Sequence, residues 1–213
     1  MTGVGRFISI EGVEGVGKST SIDRIASSLE SHGIPYVTTR EPGGTPLSER
    51  IRELLLDKRN MSMSPMTELL LMFAARAQHV NEFIKPTLAG GHWVICDRFT
   101  DSTYAYQGGG RGIDDALIQQ VEKIALENFR PDLVLVLDLP VDEGMSRALS
   151  RGEKDRFESE DIAFFNRVRD VFLSRAAGDS RYQVVDASGI PEAVGTRLDA
   201  IIESEIEQWR EAG

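Results

Sequence analysis

Short apolar segments alternate with longer segments of helical periodicity along the chain. Five of the short segments are rich in β-branched and aromatic residues, and we predict them as strands. They are 7–11, 35–40, 92–97, 133–138 and 182–186. The cores of the third and fourth are apolar without alternation, which indicates strands covered on both faces. The pattern therefore predicts a three-layer α/β/α fold around a five-stranded parallel sheet.

The segments between the strands have the 3.6-residue apolar period of helices. Two helix starts are marked by Thr45-Pro46 and Ser64-Pro65, because a hydroxyl caps the first turn and proline fits inside it. The predicted helices are 19–31, 46–57, 65–88, 114–128, 141–150, 161–176 and 191–210. The longest has an apolar stripe from Leu69 to Ile84, which serves either the core or a helix-packed subunit interface.

The turn after the first strand fits the phosphate-loop pattern of Gly, four residues, Gly, Lys and Ser/Thr. It reads Gly12-Val13-Glu14-Gly15-Val16-Gly17-Lys18-Ser19-Thr20. Its glycines let backbone N–H groups surround phosphate, Lys18 can reach the outer phosphates, and Ser19 can bind Mg²⁺. We predict a nucleoside triphosphate site here; the structural alternative is a Gly-rich turn that only joins strand to helix.

Charged residues close the predicted strands, and the carboxyl ends of parallel strands meet at one edge of the sheet. Asp97 is suited to hold Mg²⁺ or its waters, and Arg98 to bind phosphate. Asp138 competes for the metal role, since it also follows an apolar strand. Arg40 precedes a Pro-Gly-Gly turn and is either an anion clamp or a member of a surface ion pair.

Two further segments keep alternatives open. Residues 102–112 combine hydroxyls, an amide, two tyrosines and four glycines, which predicts a mobile loop. It either lines a sugar and base pocket or exposes its tyrosines on the surface. On the long helix, Phe73 fits the core, whereas Arg76 beside it must pair, reach solvent or contact a ligand.

Arginines recur over about 147–161, a segment with alternating charges and a glycine. Arg147 and Arg151 lie four apart on a predicted helix, and Arg156 follows. This pattern fits a lid whose arginines neutralise charge on a transferring phosphoryl group, or else an ordinary solvated helix.

Composition narrows the class of protein. A net charge of −10 over 213 residues argues against polymeric nucleic acid as a partner. Cys96 is the only cysteine, so an intramolecular disulfide is excluded, as is typical of a reducing compartment. No apolar run approaches the ~20 residues of a membrane span, and no signal-peptide pattern is present. We expect one cytoplasmic domain over residues 1–213, without a membrane partner.

Four motifs together resemble bacterial thymidylate kinase over essentially the whole chain. They are residues 11–19, Arg40-Glu41-Pro42-Gly43-Gly44, Asp97-Arg98-Phe99 and residues 151–156, in matching order and spacing. The family transfers the γ-phosphoryl group of ATP to dTMP with Mg²⁺ and is typically a homodimer. The resemblance implies a phosphate-loop NTPase fold, ATP and Mg²⁺ on the donor side, and dTMP as the acceptor.

The resemblance also implies residue roles. On the donor side, residues 12–20 would hold the ATP phosphates and Ser19 with Asp97 would hold Mg²⁺. Apart from the resemblance, we expect adenine between the lid and the loop after Asp186. Asp97 is also placed to orient the acceptor phosphate. The implied acceptor residues are Glu14, Arg40 and Arg98 at the phosphate and sugar, Phe73 stacked on thymine, Arg76, Thr103 and Gln107 at the base, and Tyr106 against the sugar C2′.

The phosphate loop has no basic residue at its variable positions. This chain therefore resembles the type of thymidylate kinase whose catalytic arginine lies in the lid, which here would be Arg147, Arg151 or Arg156. Phe99 departs from the family, which often has Tyr or His there. The nearest alternative is another nucleoside monophosphate or deoxynucleoside kinase. A nucleotide-switched GTPase or partition-type ATPase is a second, although no Asn-Lys-x-Asp segment is present. An inactive homologue is a third, which Lys18, Ser19, Asp97 and Arg98 argue against.

Overall fold

Five parallel strands form one sheet in the computed structural model, which describes residues 4–149 and 156–212. The strands are β1 (Phe7–Glu11), β2 (Tyr36–Arg40), β3 (Trp93–Asp97), β4 (Leu133–Asp138) and β5 (Tyr182–Asp186). Their order is β2-β3-β1-β4-β5, and every neighbouring pair is parallel. The predicted parallel α/β sheet is confirmed, with every strand within one residue of its predicted bounds.

Helices cover both faces of this sheet. They are α1 (Lys18–Ser31), α2 (Pro46–Leu56), α3 (Pro65–His79), α4 (Lys85–Ala89), α5 (Thr100–Thr103), α6 (Asp115–Leu126), α7 (Val141–Leu149), α8 (Ile162–Ala176) and α9 (Pro191–Ala212). The predicted caps form, since the Thr45 and Ser64 side chains accept bonds from backbone N–H groups of the first turns of α2 and α3. A widened π-helical turn, Val80–Ile84, joins α3 to α4 ahead of Pro86, which lacks the N–H that a regular turn needs.

Strand residues alternate between two apolar layers. Ile8 and Ile95 pack into the larger layer with α1, α8 and α9, whereas Phe7 and Cys96 belong to a second layer with α3 and α6. Half of the predicted stripe on α3 and its extension is buried in that second layer, whereas Leu70 is 52% exposed. The stripe therefore builds core and leaves a smaller apolar face outside.

The Gly-rich segment is helical rather than a loop, and of the two alternatives given for it, exposure of its tyrosines on the surface was wrong. After α5 the chain continues as a π-helical stretch, Tyr104–Gly110, in which both tyrosines are buried. A Cβ on Gly110 would lie 2.4 Å from the Phe164 ring, and one on Gly109 would lie 2.6 Å from Val171. The glycines thus allow α8 to pack directly on this helical segment, which keeps it in place.

Candidate active site

The phosphate loop is fixed by close backbone packing. Gly15 has φ +75°, and a Cβ there would lie 1.9 Å from the carbonyl oxygen of Gly144 in α7. Val13 and Val16 point into the core. The loop therefore offers mainly backbone groups to a ligand, and α1 begins immediately after Gly17.

Lys18 lies over the loop from which it arises. Its Nζ donates to the carbonyl oxygens of Gly12 and Val13, both at 3.1 Å. Burial, and secondarily the charge of Arg98, lower the pKa of Lys18 to about 8. Ser19 and Thr20 are exposed on the first turn of α1. The amine and the Ser19 hydroxyl thus stand at a helix N-terminus, where phosphate is favoured.

Arg98 links the third strand to the phosphate loop. Its backbone has φ +70°, and its Nη1 donates to Gly12 O at 2.9 Å. Nη2 donates to Glu14 Oε1 at 3.0 Å. The Tyr106 hydroxyl donates to both oxygens of the same carboxylate, at 2.7 and 2.8 Å. The predicted residues Glu14, Arg98 and Tyr106 therefore form one hydrogen-bonded group.

Glu11 accepts hydrogen bonds from residues next to this group and so helps to fix its position, a role that was not predicted from the sequence. Its buried carboxylate accepts bonds from Phe99 N at 2.7 Å and Ser102 Oγ at 2.6 Å. Burial, and secondarily the charge of Asp101, raise the pKa of Glu11 to about 8. The only sequence signal was an acidic residue directly before the phosphate loop.

A cavity of about 110 Å³ lies beside Arg98. Seven of the eight predicted acceptor residues line it: Glu14, Arg40, Arg76, Arg98, Thr103, Tyr106 and Gln107. Asp97 also reaches its wall. Residues that are far apart in the sequence are thus brought together at the carboxyl edge of the sheet.

Arg76 is held rigidly in the cavity wall. Its side chain is 3% exposed and donates to Glu41 Oε2 at 2.5 Å, to Thr103 Oγ1 at 2.9 Å and to Phe99 O at 3.0 Å. The second oxygen of Glu41 lies 2.9 Å from His79 Nδ1. Arg76 therefore pairs inside the protein, which is one of the three possibilities that the sequence left open for it.

Phe73 does not reach the cavity, so its expected place against a base is not supported. The ring is 2% exposed, belongs to the second apolar layer and packs 5.0 Å from the Arg76 guanidinium. Met72 lines the cavity instead. Residues four apart lie on one face of a helix, so Met72 and Arg76 share the face that Phe73 turns away from.

Two arginines, Arg40 and Arg52, contribute positive charge to the cavity wall. Arg40 donates to Glu49 Oε2 at 2.9 Å and also lines the cavity, so both alternatives given for it are compatible with its position. Arg52 of α2 lines the cavity too and donates to Pro42 O at 2.8 Å. Nothing in the helical pattern of α2 distinguished Arg52 from an ordinary solvated residue.

The three lid arginines have different positions. Arg156 is buried, donates from Nε to Leu55 O at 2.7 Å and has Nη2 2.6 Å from Glu68 Oε2. It does not line the acceptor cavity, so its predicted catalytic contact is not supported. Glu68 also accepts from Gln107 at 2.7 Å, which makes it a second hub that the sequence analysis missed. Arg151 lies outside the described residues.

Arg147 faces a second cavity of about 350 Å³, bounded by α1, the loop after β5 and α9. Gly17 and Thr20 line its loop side, and Ala187 and Gly189 line the opposite side. This is the region in which the sequence predicts the adenine pocket. The phosphate loop therefore lies between two cavities.

Asp97 fits a metal site better than Asp138. Its Oδ1 is buried without a hydrogen-bond partner among the described residues. Asp138 instead accepts two bonds from Arg169, at 2.6 and 2.9 Å. In the described part of the chain, no group of three or more His, Cys, Asp or Glu side chains could hold a metal by itself. A cation here would therefore need ligand oxygens as well as Asp97 and Ser19.

Within residues 4–149 and 156–212, no helix combines the length and apolar character that crossing a membrane requires.

Comparison with known proteins identifies the family. The family model described as thymidylate kinase matches residues 10–198. Thymidylate kinase of Pseudomonas fluorescens strain SBW25 is 56% identical over 99% of this chain and 100% of its own, and that of Pseudomonas putida strain GB-1 is 53% identical over 97% and 99%. The crystal structure of thymidylate kinase from Ehrlichia chaffeensis has a TM-score of 0.76 and 32% identity, covering 93% of this chain and 98% of that protein. The fold is thus that of a phosphate-loop NTPase, and the chain belongs to the thymidylate kinase family.

Proposed function

We propose that this protein transfers the terminal phosphoryl group of ATP to dTMP, producing dTDP and ADP. The observation that carries the proposal is the position of Arg98. Its guanidinium binds the phosphate loop at Gly12 and lines the acceptor cavity at the same time. One cation therefore stands between a triphosphate site and a second anion site, as phosphoryl transfer between two nucleotides requires.

On the donor side, the loop backbone and Lys18 bind the ATP phosphates, and the 350 Å³ cavity beside Arg147 accepts the nucleoside. Ser19 and Asp97 would hold Mg²⁺, which neutralises charge on the phosphates when bound. The buried Asp97 Oδ1, which has no hydrogen-bond partner in the described part of the chain, supports this role.

On the acceptor side, Arg40 and Arg98 bind the dTMP phosphate. Arg76, Thr103 and Gln107 face the base edge with donors whose positions are fixed by buried partners. Met72 supplies the apolar contact to the base from the same helix face as Arg76. The buried Tyr106 ring closes the cavity beside Glu14, where it disfavours a ribose hydroxyl.

The chain needs no covalent intermediate for this reaction. Lys18 and Arg98 stabilise charge on the transferring group, and Asp97 orients the acceptor phosphate. Arg147, together with Arg151, supplies cations from a lid over about 147–161, whereas Arg156, later in the same segment, is anchored to Glu68. Closing of the lid would exclude water and prevent hydrolysis of ATP.

A coupled assay of ADP release, with ATP and Mg²⁺ against dTMP, dUMP, dCMP and AMP, tests the proposal. We expect a clear preference for dTMP, and losses of roughly a hundredfold or more for Lys18→Ala and Arg98→Ala. Circular dichroism should show both variants folded. Strong turnover of another base would identify a different monophosphate kinase, and ADP release without any acceptor would indicate a nucleotide switch.

The proposal includes a cytoplasmic homodimer. Leu54, Leu70 and Ile124, on α2, α3 and α6, are more than half exposed, which gives these helices apolar contacts for a second copy. Sedimentation equilibrium should give twice the monomer mass, and Leu70→Glu should lower it. A monomeric wild-type protein at micromolar concentration would refute this part alone.

A further inference from the structure

A third cavity, of about 160 Å³, lies on the opposite side of the helical segment 100–110 from the acceptor cavity. Thr103 and Gln107 face the acceptor cavity, whereas Asp101 and Tyr104 line the third one. The remaining wall comes from α6, α8 and the residues before β4 and β5. The two cavities share no lining residue, so the third is a separate site.

Three arginines from different elements converge on this third cavity: Arg130, Arg175 and Arg181. Arg175 packs its guanidinium on the Tyr104 ring, and among the described residues it hydrogen-bonds only through Nε, which donates to Asp101 Oδ1 at 2.6 Å. Arg181 uses Nε and Nη2, which donate to Asp179. Among the described residues, Arg130 has no hydrogen bond or ion pair. Each guanidinium therefore keeps N–H groups that are available to a ligand.

The carboxylates of the same wall are already occupied. Asp101, 2% exposed, also accepts from the Tyr182 hydroxyl at 2.8 Å. Glu122 accepts from the Tyr104 hydroxyl at 2.5 Å. Asp179, which lies outside the wall, pairs with Arg181 and also feels the charge of Arg130, so the three arginines are matched in number by carboxylates. What the cavity offers to an anion is therefore its unused guanidinium N–H groups rather than a net positive charge.

We propose that this cavity binds a phosphate group, either as free phosphate or at the end of a nucleotide. Guanidinium groups match phosphate oxygens with paired N–H donors. Donors that arrive from three elements suit a tetrahedral anion better than a planar carboxylate, because they do not share one plane. The proposal does not depend on which monophosphate the enzyme phosphorylates.

Calorimetric titration at constant ionic strength tests whether the third cavity binds a phosphate group. The protein is first saturated with dTMP and a non-hydrolysable ATP analogue, so that the other two cavities are filled, and is then titrated with inorganic phosphate or with more of the same analogue. The test variant is Arg130→Gln with Arg181→Gln. The matched control is Arg50→Gln with Arg59→Gln. Arg50 matches Arg130, because neither has a hydrogen bond or ion pair among the described residues. Arg59 matches Arg181, because each pairs with an aspartate two residues before it.

We expect saturable binding in the wild type and the control, and at least tenfold weaker binding in the test variant. Kinase turnover should be unchanged in both variants, which shows that they are folded. Binding of phosphate assigns the site to the free ion, whereas binding of the further analogue alone assigns it to a nucleotide. Equal affinity in the two double variants, or no binding of either ligand to the wild type, would overturn the proposal.

Discussion

Replacing Glu41 by Gln should test how the acceptor cavity holds Arg76. Glu41 is the only carboxylate bonded to Arg76 among the described residues, and its second oxygen contacts His79. Glutamine keeps the size of the side chain but removes its charge. The guanidinium of Arg76 would then remain buried without a counter-ion.

The expected cost follows from burial. Both partners are at most 3% exposed, and breaking a pair of this kind costs about 3–5 kcal/mol, since the remaining charge stays desolvated. In a chain of this length, each kcal/mol lowers Tm by about 2–4 °C, so Tm should fall by roughly 6–20 °C. The KM for dTMP should rise as well, because Arg76 loses its fixed orientation.

Urea unfolding and calorimetry measure this effect, with Glu49→Gln as the control. Glu49 pairs with Arg40 at 2.9 Å, but the two side chains are 38% and 53% exposed. An exposed pair contributes at most about 1 kcal/mol. If Glu41→Gln and Glu49→Gln lower the free energy of unfolding by the same amount, burial does not determine how much the Arg76–Glu41 pair contributes to stability, and our reasoning is wrong.

Three further predictions follow from the site and its packing. Because the pKa of Lys18 is lowered to about 8, kcat/KM for ATP should fall as pH rises through that value, and Lys18→Arg should remove this limb; a limb that persists would assign it to another group. Tyr106→Phe removes the hydroxyl whose proton is shared between the two oxygens of the Glu14 carboxylate, so kcat/KM for dTMP should fall about tenfold, and an unchanged value would refute the contact. Gly110→Ala should destabilise by ~1–3 kcal/mol in urea unfolding because its Cβ meets an aromatic ring, whereas Gly195→Ala in α9, where the nearest atom is 3.5 Å away, should stabilise by up to ~1 kcal/mol.

Features with local causes were predictable from the sequence. The strands are apolar runs, and the starts of α2 and α3 follow from Thr45-Pro46 and Ser64-Pro65. The placing of Arg98 beside the phosphate loop also follows, because parallel strands bring their carboxyl ends to one edge.

Features that depend on distant packing were not predictable. Whether Met72 or Phe73 faces the cavity is a rotation of one residue on an apolar helix, and only the neighbouring layers decide it. The helical state of 104–110 depends on contact with Phe164 in α8. The buried position of Arg156, which lies in a turn, depends on Glu68 of α3.

The sheet order has a consequence for synthesis on the ribosome. Strand β1 is central, and its partners are residues 94–97 of β3 and 133–136 of β4. At about 5–20 residues per second, β1 waits several seconds for β3 and longer for β4. During that time the nascent chain exposes an apolar strand with two unpaired edges. Translation speed between residues 11 and 138 should therefore affect the yield of folded enzyme more than translation speed elsewhere.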